Sequence, residues 1–138
     1  MKPLKTKAFI LIGMLVLAMS CSDKANHEMA DNALDGGRYF LENCNQGDFN
    51  KAVNYLLDNP ENQSYFKGIS LQYFALDKEG RQQLRQASIQ INEVKTIDSN
   101  QSIISYQSSM DKIPHQLKVV NSKKGWKVDL KYTYSPNK

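Results

Sequence analysis

The hydrophobic pattern of this chain changes period once, near Ala87, and that change restricts it to one fold class. Before Ala87 the apolar residues recur at helical spacing; after it they alternate with polar ones. Helices followed by consecutive strands predict an α+β domain, with N-terminal helices packed on the apolar face of a C-terminal four-stranded antiparallel meander sheet. The chain has 138 residues, and one such domain accounts for nearly all of it beyond the first few dozen.

Ala30, Ala33, Leu34, Gly37, Phe40, Leu41 and Cys44 mark one long amphipathic helix. Its weak point is Gly36-Gly37, because each glycine costs about 1 kcal/mol against alanine in a helix. Gly37 lies on the apolar stripe, so the pair either permits close packing or breaks the helix. Gly47 suits a left-handed stop, and Asp48 suits the cap of a second helix carrying Phe49, Ala52, Val53, Leu56 and Leu57. Asp58-Asn59-Pro60 ends that helix and starts a third, since proline is tolerated in the first turn, where its missing N–H has no partner to lose. The third helix carries Tyr65, Phe66, Ile69, Tyr73, Phe74 and Leu76, and Asp77 caps a short polar fourth over residues 78–86.

In the strand region Ile89 and Ile91 alternate with polar residues, whereas Val94 and Ile97 break the phase, which predicts a bulge. Residues 98–101 form a hairpin turn into a strand over 102–110. Residues 111–114 turn into a third strand, 115–121, with Pro114 at its entry, where no ladder donor is needed. Ser122-Lys123-Lys124-Gly125 forms the last turn. Trp126, Val128, Leu130, Tyr132 and Tyr134 then point to the core, while Lys127, Asp129, Lys131 and Thr133 point to water.

The amino terminus has a different character. Lys2, Lys5 and Lys7 precede an uninterrupted apolar stretch, Ala8 to Ala18. As a helix this stretch rises only about 16 Å, far less than the roughly 30 Å hydrocarbon core, so it reads as a signal h-region rather than a membrane span. Leu17-Ala18-Met19-Ser20-Cys21 resembles a lipobox, in which a small residue precedes a cysteine that is acylated and becomes the mature amino terminus. The usual pattern has leucine three residues before the cysteine; here Leu17 stands four before it and Met19 intervenes. Looser boxes of this kind, with Ser20-Cys21-Ser22-Asp23, resemble those of Bacteroidota lipoproteins. The expected organisation is a signal peptide at 1–20, a lipidated tether at 21–28, one domain at 29–134 and a tail at 135–138. The tether, polar and short, is expected to link lipid and domain flexibly.

What the lipobox resemblance implies is an address. Each buried methylene contributes about 0.8 kcal/mol, so several acyl chains on Cys21 hold a protein to a bilayer. Ser22 is not the aspartate that retains enterobacterial lipoproteins at the inner membrane, which favours the outer membrane. Asp23-Lys24 bears a faint likeness to the acidic surface-export tag of Bacteroidota, so periplasmic and surface faces both stay open. The implied partners are the bilayer, through acylated Cys21, and an envelope protein or small ligand.

The formal charge of +4 includes the three leader lysines; once these are set aside from the 18 basic residues, the rest nearly balance the 14 acidic ones. Nucleic acid, which needs a clustered basic footprint, is not an expected partner. With Cys21 acylated, Cys44 has no partner for an intrachain disulfide, and on an apolar helical face it reads as a small core residue. His27 and His115 lie far apart without ligand spacing, so no metal or cofactor site is expected.

A helix ending in an aromatic-leucine pair, then Gly47-Asp48, Ala52 and Leu56-Leu57, and a closing Gly-Trp-Lys-Val-Asp-Leu at residues 125–130 together resemble the lipoproteins of "domain of unknown function 4878". The resemblance covers about residues 27–132 and implies a cone-shaped, nuclear-transport-factor-2-like or cystatin-like fold. Its motifs are structural, so it implies no catalytic residues. A departure is the helix-rich, glutamine-heavy middle of the chain, with Gln82, Gln83 and Gln86.

Cone folds of that type enclose a pocket used by isomerases, dehydratases and ligand binders, yet fold alone does not confer function. A catalytic version needs a buried carboxylate or histidine facing the cavity. Asp129 is expected to face solvent by its phase, with Lys127 and Lys131 as surface neighbours, and His115 sits beside Pro114 at a strand start. Tyr39, Tyr55, Tyr65, Phe66, Tyr73, Phe74, Trp126 and Tyr132 either build the core or line a ligand pocket. Lys123-Lys124 is either a solvated turn or a lipid-headgroup contact, and Arg81 with Arg85 either clamps an anion or decorates a wet helix face. The expected function is a non-catalytic, membrane-anchored binding domain; the alternative is a cone-fold enzyme of isomerase or hydrolase type.

Overall fold

In the computed structural model, residues 28–134 are described. The expected signal peptide at 1–20, Cys21, most of the expected tether and the tail at 135–138 therefore lie outside the described residues. Helix α1 (Ala33–Gln46) begins at Asn32, whose side chain accepts from the Asp35 N–H at 2.9 Å and donates to the Asp35 carboxylate at 2.7 Å. It ends at Gly47, which takes φ +74°, the left-handed stop read from the sequence. The helix runs unbroken through Gly36-Gly37. Both glycines are buried because the sheet lies against them: a Cβ on Gly36 would meet the Trp126 carbonyl oxygen at 2.8 Å, and one on Gly37 the Ile104 Cδ1 at 2.4 Å.

The second helix is shorter than its apolar pattern suggests. Helix α2 (Phe49–Ala52), capped by Asp48, tightens into a 3₁₀ turn over Val53–Tyr55 and then stops. Leu56 turns extended and forms a parallel bridge with Val128, and the Leu57 N–H donates to the Val128 carbonyl at 2.8 Å. Sheet pairing captures the last two apolar residues that local spacing assigns to a helix. Helix α3 (Pro60–Ala75) starts at the proline as the sequence indicates, with Asn59 as its cap, and α4 (Lys78–Gln86) is capped by Asp77, the residue its sequence offers for that role.

Strands β1 (Ile89–Asp98), β2 (Gln101–Ser108), β3 (Pro114–Ser122) and β4 (Gly125–Asp129) form an antiparallel meander in the order β1-β2-β3-β4. Register shifts after Ile91 and Thr96 place the expected irregularity in β1. Helix α1 lies across all four strands. The core between them contains Phe40, Ile104, Leu117, Val119 and Val128, all nearly without solvent contact, with Ala30, Cys44, Tyr55, Leu56, Phe66 and Leu130 around them.

The end of the chain departs from its period-two pattern. The last strand stops at Asp129, and Leu130–Tyr134 forms a short helix, α5, rather than a continuation of β4. The cause is a distant side chain. Asn62 of α3 is fully buried; its Oδ1 accepts from the Lys131 N–H at 2.9 Å while its Nδ2 donates to the Leu57 carbonyl at 3.0 Å. Asn62 thus satisfies one of the orphan N–H groups at the start of α5, in the way an N-cap does, but from another helix. Thr133 and Tyr132 then reach back to β3: the Thr133 hydroxyl donates to the Gln116 carbonyl, and the Tyr132 ring lies against Lys118.

Candidate functional site

The chain enters the domain through Glu28, Met29 and Ala30, which are held in place although they lie outside any helix or strand. The Tyr55 hydroxyl donates to the Glu28 carbonyl at 2.7 Å, and the Trp126 N–H donates to the Ala30 carbonyl at 3.0 Å. Gly125 has φ +88°, and a Cβ there would stand 2.6 Å from Met29 Cγ, so the entry segment packs directly on the glycine of the β3–β4 turn. In that turn neither Lys123 nor Lys124 takes a positive φ, so Gly125 supplies it, as in a type I turn with a following bulge. The Ser122 hydroxyl closes the loop, donating to the Gly125 carbonyl at 2.8 Å and accepting from the Lys124 N–H at 3.2 Å.

Beside this entry point lies an open groove of about 910 Å³. One wall is the 3₁₀ turn and the segment after it (Val53, Asn54, Leu56, Leu57, Asp58); the other is the β3–β4 hairpin (Ser122, Lys123, Lys124, Lys127), with Met29 between them. Met29 is 55% exposed and Val53 36%, so large apolar side chains on the rim stand in water.

Lys127 is the most constrained charge in the groove. Expected as an ordinary surface residue, it is half-buried instead, and its Nζ donates to the Asn54 carbonyl across the groove. Burial lowers its pKa from the usual lysine value, and the like charge of Lys124 adds to the effect. Lys123 and Lys124 are exposed at the turn, and Asp58 on the opposite wall accepts from Gln63 at 3.4 Å. Three ammonium groups against one carboxylate leave the groove cationic.

The other residues singled out in the sequence are not gathered here. Asp129, expected to face solvent, is only half-exposed: its Oδ1 is buried and, among the described residues, has no hydrogen-bond partner. The cause lies in the end of β4, where the chain folds back through α5 instead of running on into water. His115 pairs with Asp111 at 2.8 Å and stacks on Tyr106 at the surface, at the other end of β3 from the groove. The Asp111 pKa is lowered, first by the Ile113 backbone N–H bonded to its carboxylate and then by His115. Lys131 bridges to Glu61 at 3.0 Å in solvent, which raises its pKa. Arg85 is engaged by the Tyr73 hydroxyl at 2.9 Å, and its carbonyl accepts from Gln46 at 3.1 Å.

The aromatic residues divide. Tyr55, Phe66 and Tyr73 are buried, Tyr39, Tyr65, Trp126 and Tyr132 are partly so, and Phe74 is 59% exposed, an exception to the reading of that set as core or pocket wall. Tyr65 stacks on Tyr134 with ring centroids 4.8 Å apart. Cys44 lies buried on the apolar face of α1 as its spacing predicts, and burial pushes its thiol up to about 12. Asn62 and Ser102 are the buried polar side chains among the described residues.

Among the described residues no group of three or more His, Cys, Asp or Glu side chains is placed to hold a metal, and no helix is long and apolar enough to cross a membrane. In comparison with known proteins, no family model and no curated protein matches the chain.

Sequence reasoning missed the groove because its two walls are far apart in the chain. Lys123 and Lys124 were visible as a pair, and Val53 and Leu56 as helical core. Only the turn of Leu56-Leu57 out of the helix, into an isolated bridge with Val128, brings them opposite one another.

Proposed function

We propose that this chain is a lipoprotein of the cell envelope, held to the outer membrane by acyl chains on Cys21, and that its domain binds a ligand or partner at the membrane surface. The observation that carries the reading is the fixed entry of the chain at the groove: Glu28 and Ala30 are hydrogen-bonded to Tyr55 and Trp126, next to a recess with apolar and cationic lining. The chain thus enters the domain beside the groove, on the β4 side of the sheet rather than at the outer edge strand β1. The leader, the lipobox-like residues Leu17 to Cys21 and the likeness of Gly47-Asp48 and residues 125–130 to Bacteroidota "domain of unknown function 4878" lipoproteins support the same address.

Binding is favoured over turnover by where the space lies. The region between α1 and the sheet is filled by Phe40, Ile104, Leu117, Val119 and Val128, and the groove lies outside it. The test is incorporation of labelled palmitate in cells. The wild type takes up label and Cys21→Ala does not, and the mature protein has an acylated cysteine as its first residue. An unmodified thiol at Cys21, or a mature start elsewhere, overturns the reading.

A further inference from the structure

We propose that the groove between residues 53–58 and the β3–β4 turn docks the domain onto the bilayer that carries it, with Lys123, Lys124 and Lys127 on the phosphate of an anionic lipid headgroup. The inference rests on the lipoprotein reading for the proximity of the bilayer, and on the groove itself for its chemistry. Cys21 and Met29 are eight residues apart in the chain, so an extended link spans at most about 29 Å. Met29 lines the groove, which therefore cannot lie far from the surface to which Cys21 is attached.

The lining matches that surface in kind. Lys123 and Lys124 project from a two-lysine turn fixed by Ser122 and Gly125, and Lys127 stands behind them on β4. Lys127 is already partly stripped of water and, among the described residues, has only a neutral carbonyl, that of Asn54, as its acceptor. A phosphate oxygen supplies the charge that this ammonium lacks, and lysine serves phosphate as a compact point charge. The opposing carboxylates are few: Asp58 on the far wall, and Glu28 at the entry segment, whose charge is felt by Tyr39 and Tyr55. Exposed Met29 and Val53 flank the lysines. Apolar side chains beside cations are the composition that settles at the boundary between headgroups and acyl chains.

The experiment uses the mature protein, purified in detergent and reconstituted into vesicles of phosphatidylcholine alone or of phosphatidylcholine with phosphatidylglycerol. Flotation with the neutral vesicles reads the anchor by itself. Acetylation of surface amines, followed by mass spectrometry, then reads docking residue by residue. A lysine near an anionic membrane surface strengthens attachment about fivefold. Labelling of Lys123, Lys124 and Lys127 is therefore expected to slow by about fivefold or more when phosphatidylglycerol is present. Lys67, Lys78 and Lys95, on α3, α4 and β1, keep their rates. Replacing both turn lysines (Lys123→Gln, Lys124→Gln), which lie exposed and outside the core, returns Lys127 to its neutral-vesicle rate. Equal labelling of the three lysines in both vesicle types overturns the inference while leaving the anchor intact if the protein floats. Slowing by soluble glycerol phosphate added to neutral vesicles also overturns it, since the occupant is then a soluble phosphate and not the bilayer. Failure to float with neutral vesicles, together with protection in the anionic ones, overturns the anchor and supports the docking.

Discussion

Three helical glycines provide a test of the packing in which the same substitution changes sign with its surroundings. Gly68 in α3 has nothing within 4 Å of the position a Cβ would take, whereas on Gly37 in α1 that Cβ would lie 2.4 Å from Ile104 Cδ1. Alanine is favoured over glycine in a helix by about 1 kcal/mol, so Gly68→Ala is expected to stabilise by about that amount. At Gly37 the same gain is opposed by overpacking, which costs about 1–3 kcal/mol in a dense core. Ile104 has no solvent contact into which to swing, so the upper end of that range applies and Gly37→Ala is expected to destabilise by about 2 kcal/mol. Trimming the obstacle should undo this. Ile104→Val alone removes the Cδ1 methyl and costs about 0.5–1.5 kcal/mol. In Gly37→Ala with Ile104→Val the new methyl occupies the space vacated, so the double variant is expected near wild type, with a coupling of about 2 kcal/mol or more. Gly36→Ala is the control, because its obstacle is the Trp126 backbone, 2.8 Å from the added Cβ, and no side-chain trimming moves it. Urea midpoints at constant m-value measure all of these. If Gly37→Ala is as stabilising as Gly68→Ala, or if Ile104→Val fails to rescue it, α1 does not pack on the sheet as described.

Two further expectations concern buried groups. Asn62→Ala leaves the Leu57 carbonyl and the Lys131 N–H without their partner and should cost about 3 kcal/mol by urea unfolding, at about 1–3 kcal/mol for each orphaned group; a loss below about 1 kcal/mol would contradict the role of Asn62 in holding α5. For Cys44 the folded thiol keeps its proton up to about 12, while the unfolded one loses it near about 8.5. Above that value the unfolded state binds fewer protons at this thiol, so the Cys44 contribution is constant below about pH 8.5 and falls as pH rises from there. Cys44→Ala should abolish the fall between about pH 8.5 and 10, before Tyr106, also raised to about 12, begins to contribute; equal losses in both proteins would refute the assignment.

What was legible in the sequence is what depends on neighbours in the chain. Asp48 and Asp77 cap helices because their side chains reach N–H groups three residues on, and Gly47 stops α1 because a left-handed residue was needed there. Cys44 is buried because α1 has one apolar face. The failures share a single cause, namely a partner far away in the chain. Residues 126–134 alternate as a strand should, yet the part after Asp129 is helical because Asn62, 69 residues from Lys131, caps it. Leu56 and Leu57 continue a helical stripe, yet an unpaired strand edge had more to offer their backbone than another helical turn. Phase alone assigns Asp129 and Lys127 to water. Phase says which face of a strand a residue occupies and nothing about what else covers that face.

The same event that misled the pattern also builds the groove. A four-stranded meander has two edges, and an open edge invites pairing with another chain. On β1 the edge carries Glu93, Lys95 and Asp98 and is interrupted by two register shifts, which discourage an incoming strand. On β4 the edge is closed from within, by Leu56 and Leu57. Because that segment is short, it covers only the Val128 end of β4 and leaves the hairpin tip at Lys123-Lys124 projecting beyond it. The gap between the short cover and the longer hairpin is the groove, and the entry segment Glu28–Ala30 is fastened along its side by bonds to both walls. A site formed this way needs no residue dedicated to shaping it. Its chemistry is carried by the side chains that happen to face the gap, which is why the lysines of the turn, rather than any element of the core, decide what it can hold.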